Sequence, residues 1–374
     1  MPRPTAVLIA AASGRALAAS ARRSGYTPLV ADFFGDEDTL AAAGAHVRLP
    51  DGLTRGMCSD RIVAALEDLA RVRKPAGIVC GTGFEDRPEL LVAIARRWRL
   101  LGNGADVVVR TKDPRMLAEL CGDCGIPHPA LSLEPPADPA GWLRKRKGGA
   151  GGRHIRAAAH SDTAGEAFYF QRRVEGRPVS ALVVADGRRA LVLGFSAQWC
   201  SPTADHPFRY GGAVRPAALT RTAADAMIAA VQRLVPKLSL VGLNSADFLV
   251  DRGSIQLLEI NPRPGATLDI FEPHDDSIFA MHIAACEGIL PARAPSFEQA
   301  KASAIVYAER DVAVFPALDW PAWTADRSGV GTAVAKGDPL CTVLASAPSA
   351  PSARALAQRR AAMIVATTNA SLAA

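Results

Sequence analysis

The segment DFLVDRGSIQLLEINPR, residues 247–263, is the most informative stretch of this 374-residue chain. Two apolar runs flank an Asp-Arg-Gly turn, and this pattern predicts a β-hairpin with strands at 241–249 and 255–260. Because side chains alternate along a strand, Glu259, Asn261 and Arg263 share one face, and Asp247 joins them from the neighbouring strand. Two carboxylates and an amide oxygen suit a Mg²⁺ ion that bridges phosphates. The sequence therefore predicts a metal site at Asp247, Glu259 and Asn261, with a solvated strand face as the alternative.

A basic strand at 142–145 leads into a loop of small residues, namely Gly148, Gly149, Ala150, Gly151 and Gly152. Backbone N–H groups of such a loop can approach phosphate oxygens closely, because few side chains stand in the way. Lys145 or Lys147 can then supply a point charge to the α- or β-phosphate. The loop is not a Walker motif, since its lysines precede the glycines. A flexible surface hairpin is the alternative.

Two further stretches are candidates for contacts with a nucleotide or another anion. A strand predicted at 169–174 can offer its backbone edge to adenine, while Gln171 reaches the exocyclic amine. Any half-buried edge strand has this pattern, so the signal is weak. Arg209, beside Tyr210-Gly-Gly212, is a candidate second anion contact on a mobile loop, and an ordinary surface loop is the equal alternative.

Composition excludes several other classes of protein. The net charge is +6 and the pI about 9.1, but the basic residues are dispersed and lack interleaved aromatic residues, so no nucleic-acid partner is expected. No apolar run reaches the ~20 residues that span a membrane. Residues 1–14 are interpreted as a first strand and turn rather than a signal peptide. The odd number of cysteines, seven, indicates a reducing compartment and thus a cytoplasmic protein.

The order of predicted elements divides the chain into four parts. Residues 1–110 alternate strands with helices, which predicts a parallel α/β domain. Residues 111–185 carry the glycine loop and the Gln171 strand, and residues 186–298 carry the metal hairpin. Residues 299–374 form a small C-terminal β region with strands at 303–307, 312–315 and 340–344, a helix at 353–366 and a loose tail.

Together these motifs resemble the ATP-grasp superfamily over residues 1–290. The resemblance is carried by Lys112-Asp-Pro, by the strand and glycine loop at 142–152, by Gln171-Arg-Arg-Val174, and by Asp247 followed by Glu259-Ile-Asn-Pro-Arg263. It implies an α/β fold in which a pre-ATP-grasp domain precedes two α+β lobes that clamp ATP. It also implies that Lys112 and Lys145 contact phosphates, that Gln171, Arg172 and Val174 lie on the hinge holding adenine, and that Arg263 faces an acyl-phosphate.

Within the superfamily, the start of the chain, with Ser13-Gly-Arg15 and the 32–39 segment, resembles predicted carboligases related to biotin carboxylase. Part of that branch is associated with one-carbon carriers of the methanofuran and tetrahydromethanopterin type. The expected function is an ATP-dependent carboxylate–amine ligase that forms an amide through an acyl-phosphate and adds an amino acid such as glutamate. ATP and Mg²⁺, with Mn²⁺ as an alternative ion, are the expected cofactors.

The alternatives are a carboxylase that uses bicarbonate and a non-catalytic nucleotide-binding protein. The expected partners are a small-molecule carboxylate and an amine, with no nucleic acid and no membrane. The resemblance is compatible with a homodimer.

Overall fold

Four short parallel strands form the first sheet of the computed structural model, which describes residues 5–50 and 52–372. They are β1 (Ala6–Ala10), β2 (Thr27–Asp32), β3 (Ala45–Arg48) and β4 (Pro75–Cys80), in the order β3-β2-β1-β4. The accompanying helices are α1 (Arg15–Arg23), α2 (Glu37–Ala42), α3 (Gly52–Arg55), α4 (Ser59–Val72) and α5 (Pro88–Ala95). Strand β1 is buried along its whole length, as its uninterrupted apolar sequence AVLIA requires.

Two linker helices follow, α6 (Ala105–Lys112) and α7 (Pro114–Asp123). The carboxylate of Asp113 accepts hydrogen bonds from the N–H groups of Arg115 and Met116, and Pro114 occupies the first turn of α7. Both features are favourable at a helix start, so the chain bends at Asp113. Lys112 is therefore left at the last position of α6, where its side chain can leave the helix axis.

A small antiparallel sheet contains β5 (Leu131–Ser132), β6 (Trp142–Arg146), β7 (Arg156–Ala157) and β8 (Phe168–Arg172), in the order β5-β8-β6-β7. Strands β6 and β7 pair directly, with Leu143 opposite Ala157. The glycine loop at 148–152 therefore connects two neighbouring strands of this sheet, as the sequence predicted.

A large sheet of eight strands follows in the order β13-β12-β9-β10-β11-β14-β16-β15. Its strands are β9 (Arg177–Asp186), β10 (Ala190–Cys200), β11 (Tyr210–Arg215), β12 (Val241–Asp251), β13 (Ser254–Asn261), β14 (Ala300–Tyr307), β15 (Thr324–Ala325) and β16 (Pro339–Ala347). The helices of this part are α8 (Arg221–Leu238), α9 (Leu268–Phe271), α10 (Ile278–Cys286) and α11 (Ala350–Ser371).

The two faces of the large sheet pack against different partners. One face, with Val183 and Phe248, forms a core with the apolar side of α8. The other face, with Leu182 and Leu243, packs against α1, α9 and α10. The second face is thus turned towards the parallel sheet, and any ligand bound between the two sheets lies on this side.

Buried ion pairs hold the parallel sheet against the later parts of the chain. The guanidinium of Arg15, at the start of α1, contacts the carboxylates of Asp269 and Asp326, with 3.0 Å from Nε to Oδ1 of Asp326. The side chain of Arg15 is only 8% exposed. Because a buried charge is costly without partners, these pairs fix how the sheets are oriented.

The α/β fold class predicted from the sequence is confirmed, and two local predictions are wrong. Residues 312–315 do not form a strand, since only an isolated bridge joins Val312 to Val334. Most of the tail predicted to be loose, up to Ser371, continues α11, while residues 373–374 lie outside the described residues. The C-terminal strands extend the large sheet through pairing of β14 with β11. No helix in the described ranges is long and apolar enough to cross a bilayer.

Candidate active site

The predicted acidic pair lies at the edge of the large sheet. Asp247 of β12 stands directly opposite Glu259 of β13, and the register shifts immediately after this pair. Asn261, the last residue of β13, donates from Nδ2 to Oδ2 of Asp247 at 3.0 Å. The hairpin therefore brings the three side chains together as the sequence predicted, although the metal role itself stays a prediction.

Lys112 supplies the positive charge at this acidic pair. Its Nζ atom donates to Oδ1 of Asn261 at 2.7 Å and to Oε2 of Glu259 at 3.2 Å. The Lys112 side chain is 7% exposed, whereas that of Glu259 is 42% exposed. The lysine thus approaches from the closed side of the site and leaves the carboxylate of Glu259 open to the cleft.

The two carboxylates have pKa values displaced in opposite directions. Burial, reinforced by the neighbouring charge of Glu259, raises the pKa of Asp247 to about 7. Burial alone would also raise the pKa of Glu259, but the charges of Lys112 and Lys145 outweigh it and lower that pKa to about 2. Glu259 is therefore the permanently charged member of the pair.

Lys145 is buried in β6 and points into the same region. Its Nζ atom donates to Oε1 of Gln171 on the adjacent strand β8 at 2.6 Å. Burial lowers the pKa of Lys145 to about 8, against the opposing effect of Glu259. The amide of Gln171 also lies 3.5 Å from Nε2 of His128. Gln171 therefore sits between a cation and an imidazole, on the wall of the cleft.

A cleft with about 390 Å³ of empty space, part of it open to solvent, lies between the small sheet and β13. Its walls include Lys112 and Leu117 from the linker helices, Gly149 and His154 from the glycine loop region, and Tyr169, Gln171 and Glu259 from β8 and β13. The lining thus combines charged side chains such as Lys112 and Glu259 with the partly apolar Tyr169 and Leu117. Such a mixture suits a ligand with a planar base and a charged tail.

The glycine loop is held tightly from several sides. A Cβ atom on Gly148 (φ +66°) would lie 2.7 Å from the carbonyl oxygen of Glu85. A Cβ atom on Gly152 (φ +72°) would lie 1.9 Å from the carbonyl oxygen of Phe208. Only glycine fits such approaches at positive φ. A Cβ atom on Gly149 would lie 2.3 Å from the ring of His154. Ala150 and Gly151 are exposed, and Lys147 is half-buried.

Arg263 is fixed by a partner that the sequence analysis missed. Its Nε atom donates to Oε1 of Glu85 at 2.7 Å, and its Nη2 atom lies 3.3 Å from Oδ1 of Asn261. Glu85 also accepts a hydrogen bond from the N–H group of Gly83 at 2.7 Å. Burial opposes ionisation of Glu85, but Arg263 and Lys112 lower its pKa. The only available signal was the Gly81-Thr-Gly83 turn after β4, two residues before this glutamate.

Three further predicted binding residues make contacts within the protein or are partly exposed. The guanidinium of Arg172 is exposed and donates to the carbonyl oxygen of Ala140 at 3.1 Å. Val174 is half-buried in the connection between β8 and β9. The guanidinium of Arg209 is buried, donates to the carbonyl oxygen of Ser201 at 2.9 Å and stacks 3.7 Å from the ring centre of Tyr307. The binding roles of these three residues stay predictions.

The donor set fits a hard divalent cation. Oδ1 of Asp247 is buried and has no hydrogen-bond partner, so an acceptor is available at the centre of the pair. Within residues 5–50 and 52–372 there is no cluster of three or more His, Cys, Asp and Glu that could hold a metal. Asp247 and Glu259 would hold a Mg²⁺ ion together with phosphate oxygens of the ligand, and Asn261, whose amide contacts both Asp247 and Lys112, would join them.

A comparison with family models agrees with this geometry. Residues 112–267 match the ATP-grasp domain family, so the chain contains an ATP-grasp domain. The matched range begins at Lys112 and includes Lys145, the glycine loop, Gln171 and the acidic hairpin. No curated protein sequence matches the chain.

Solved structures show the same fold at low sequence identity. Biotin carboxylase from Campylobacter jejuni is 16% identical with a TM-score of 0.72, over 94% of this chain and 89% of that one. The biotin carboxylase domain of the 2-oxoglutarate carboxylase from Hydrogenobacter thermophilus, solved as a dimer with MgADP and bicarbonate, is 14% identical with a TM-score of 0.71, over 93% and 87%. N5-carboxyaminoimidazole synthetase from Staphylococcus aureus, complexed with ADP, is 14% identical with a TM-score of 0.70, over 96% and 97%.

This chain therefore contains an ATP-grasp domain, and its fold is similar to that of biotin carboxylase. The ATP-grasp domain agrees with the enzyme class predicted from the sequence, an ATP-dependent ligase.

Proposed function

We propose that the protein joins a carboxylic acid to an amine, with ATP as the energy source and an acyl-phosphate as the intermediate. The observation that carries this proposal is the meeting of Asp247, Glu259 and Asn261 with Lys112 and Lys145, beside a cleft that Lys112 and Glu259 line. Two acids next to two buried lysines form a site for a metal–polyphosphate complex, because the acids can bind the metal ion and the lysines can bind the phosphate oxygens.

The part of the cleft that Gln171 and Tyr169 line supports adenine binding. Gln171 and Tyr169 lie on β8, and the chain leaves this strand through the 173–176 connection to β9. We infer that adenine lies against β8, with the Gln171 amide oriented by Lys145 and His128. The nucleotide would then extend towards Glu259, which places its phosphates beside the glycine loop.

Little proton transfer is demanded of the protein in the proposed reaction. An oxygen of the substrate carboxylate bonds to the terminal phosphorus as the bridging P–O bond breaks, and ADP leaves with that electron pair. The amine nitrogen then attacks the acyl carbon, the C–O bond to phosphate breaks with its electron pair on the phosphate, and the proton lost by the nitrogen passes to the departing phosphate. Lys145 and Lys112 stabilise the negative charge on the phosphate oxygens, and Arg263, oriented by Glu85, faces the acyl-phosphate. Mg²⁺, when bound, would neutralise further charge on the phosphates.

A carboxylase that uses bicarbonate as the acid is the second candidate. It is favoured by the fold shared with biotin carboxylase and with the carboxylase domain whose complex contains bicarbonate. Phosphate release that depends on bicarbonate alone, with no effect of other acids, would select this candidate. Binding of Mg-ATP without turnover across all acid–amine pairs would instead select a nucleotide sensor.

The finer assignment is a role in the biosynthesis of a one-carbon carrier, with glutamate as one substrate. It is supported by the start of the chain, where Ser13 and Arg15 follow β1 and Asp32 ends β2. These residues resemble the carboligase branch associated with such cofactors. We also propose that the protein forms a homodimer, because the biotin carboxylase domain from Hydrogenobacter thermophilus was solved as a dimer. We further propose a cytoplasmic location.

The deciding experiment is a phosphate-release screen of the purified protein with Mg-ATP, candidate carboxylates and amines, with glutamate and tyrosine first. We expect release that depends on one acid–amine pair and a mass increase that matches amide formation. Asp247→Asn and Glu259→Gln remove one charge each at nearly constant volume, and both should lower turnover by at least about 100-fold, as loss of a charge-stabilising group does. Full turnover in both variants would overturn the metal assignment.

A further inference from the structure

A row of polar residues crosses the face of the large sheet that is turned towards the parallel sheet. Asp247 on β12 stands opposite Ser180 on β9, and Ser180 stands opposite Ser196 on β10. Residues directly opposite one another on paired strands point to the same side. The apolar neighbours Leu182 and Leu243 on this side are covered by the core with α9 and α10. The polar row therefore forms the floor of the site just beyond that core.

A β-bulge adds Tyr210 to this floor. Trp199 pairs with Gly212 but Cys200 pairs with Tyr210, so Gly211 is an extra residue in β11. Because a bulge shifts the alternation by one residue, Tyr210 lies on the side of Cys200, which is also the side of Ser196. Burial is the main cause that raises the pKa of the Tyr210 phenol, and the negative charge of Asp247 raises it further. The phenol is therefore neutral, and it lies close enough to Asp247 for that charge to act on it.

Three buried polar atoms on this floor make no hydrogen bond of normal geometry, namely Oδ1 of Asp247, Oγ of Ser196 and the hydroxyl oxygen of Tyr210. Two of them have a serine side chain nearby, since Ser180 interacts with Asp247 and Ser303 interacts with Tyr210. Ser196 has no exposed surface at all. Each unpaired buried polar group costs about 1–3 kcal/mol, so three together indicate that a polar ligand belongs here.

The backbone of Tyr210 connects this floor to the glycine loop. Its N–H group donates to the carbonyl oxygen of Gly151 at 2.9 Å. Tyr210 thus contacts the glycine loop through its backbone, while its side chain lies on the same side of the sheet as Asp247.

We propose that Tyr210 and Ser196 donate hydrogen bonds to the terminal phosphate of ATP and hold the same group after its transfer to the acid. This inference rests on the proposed ATP-dependent function and assigns two further residues to it. The phenol donates a hydrogen bond without losing its proton, so the P–O bond changes of the reaction stay as described above. A neutral donor at this position favours the negative charge that the phosphate oxygens carry throughout the transfer.

The test compares two nucleotides that differ in the terminal phosphate. Isothermal titration of the full chain gives the Kd of Mg-ADP and of the Mg complex of the non-hydrolysable analogue AMP-PNP. Tyr210→Phe should weaken AMP-PNP binding by roughly 10- to 100-fold, the value of one hydrogen bond to a charged acceptor, and leave ADP binding unchanged. Ser196→Ala should weaken AMP-PNP binding in the same selective way, since the hydroxyl it loses has no partner in the protein.

A matched control is Tyr26→Phe, because Tyr26 packs edge-on against Phe279 of α10 and is not part of the polar row. It should change neither Kd. Equal weakening of both nucleotides in Tyr210→Phe, or no change in either, would overturn the assignment of Tyr210 while wild-type binding keeps the proposed function intact. Failure of the wild-type protein to bind either nucleotide would overturn the proposed function together with this inference. The unchanged ADP affinity also reports that each variant is folded.

Discussion

Lys145, the buried lysine of β6, is expected to support ATP binding while it lowers the stability of the folded protein. Burial lowers the pKa of Lys145 from 10.5 to about 8 in the folded protein. This lower pKa corresponds to about 3 kcal/mol against folding with the lysine charged, at about 1.36 kcal/mol for each tenfold change in proton affinity. Lys145→Met removes this unfavourable contribution, which stabilises the folded state. It also removes the hydrogen bond to Gln171, which lowers the free energy of unfolding by about 1–3 kcal/mol.

The dependence on pH separates these two contributions. Below pH 8 the lysine is charged in both the folded and unfolded states, so the cost is fully present. Between about pH 8 and pH 10.5 the unfolded state binds more protons than the folded one, and the stability of the wild-type protein rises with pH relative to the variant. The free energy of unfolding of Lys145→Met relative to wild type should therefore fall by about 3 kcal/mol over this interval.

The assay is denaturant unfolding of both proteins at several pH values from 7 to 10.5, analysed as a difference between variant and wild type. Lys147→Met is the matched control, because it removes a half-buried rather than a buried lysine from the same segment. Lys145→Met should also lose most of its affinity for Mg-ATP. A stability difference that stays constant from pH 7 to 10.5 would refute the reasoning about the buried charge.

Three further outcomes are expected. Glu85→Gln leaves the nearly buried guanidinium of Arg263 without its counter-charge and should lower the free energy of unfolding by about 3 kcal/mol at pH 7, measured by denaturant titration; an unchanged stability would contradict the burial of this pair. Gly152→Ala should abolish Mg-ATP binding in a titration while Gly151→Ala, in open space, should weaken it less, since only the former meets a carbonyl oxygen at 1.9 Å; equal effects would argue against a tightly held loop. Removal of Mg²⁺ with a chelator should weaken ATP binding in the wild-type protein far more than in Asp247→Asn, and a similar loss in both would separate Asp247 from the metal.

The sequence by itself determined the elements that depend on local patterns. The Asp-Arg-Gly turn is enough to pair Val250 with Ile255 and Phe248 with Leu257, because pairing in a hairpin follows from the turn. Asp247 stands opposite Glu259 only because the register shifts by one residue between Asp247 and Phe248, and the turn does not determine that shift. The succession of short apolar strands and helices before residue 110 likewise indicated a parallel sheet. Predictions failed where a signal was short, as at 312–315, where four apolar-rich residues form only an isolated bridge.

Only the tertiary structure decided which distant groups neutralise and orient the site. Lys112 reaches Glu259 across 147 residues of sequence, and Glu85 reaches Arg263 across 178. The bulge that turns Tyr210 towards Asp247 has no sequence signature beyond two glycines. Such contacts depend on how separate sheets pack, and packing combines many weak interactions that no local pattern encodes. The sequence therefore determined the acidic hairpin, whereas the fold selected its counter-charges and the hydroxyl groups beneath it.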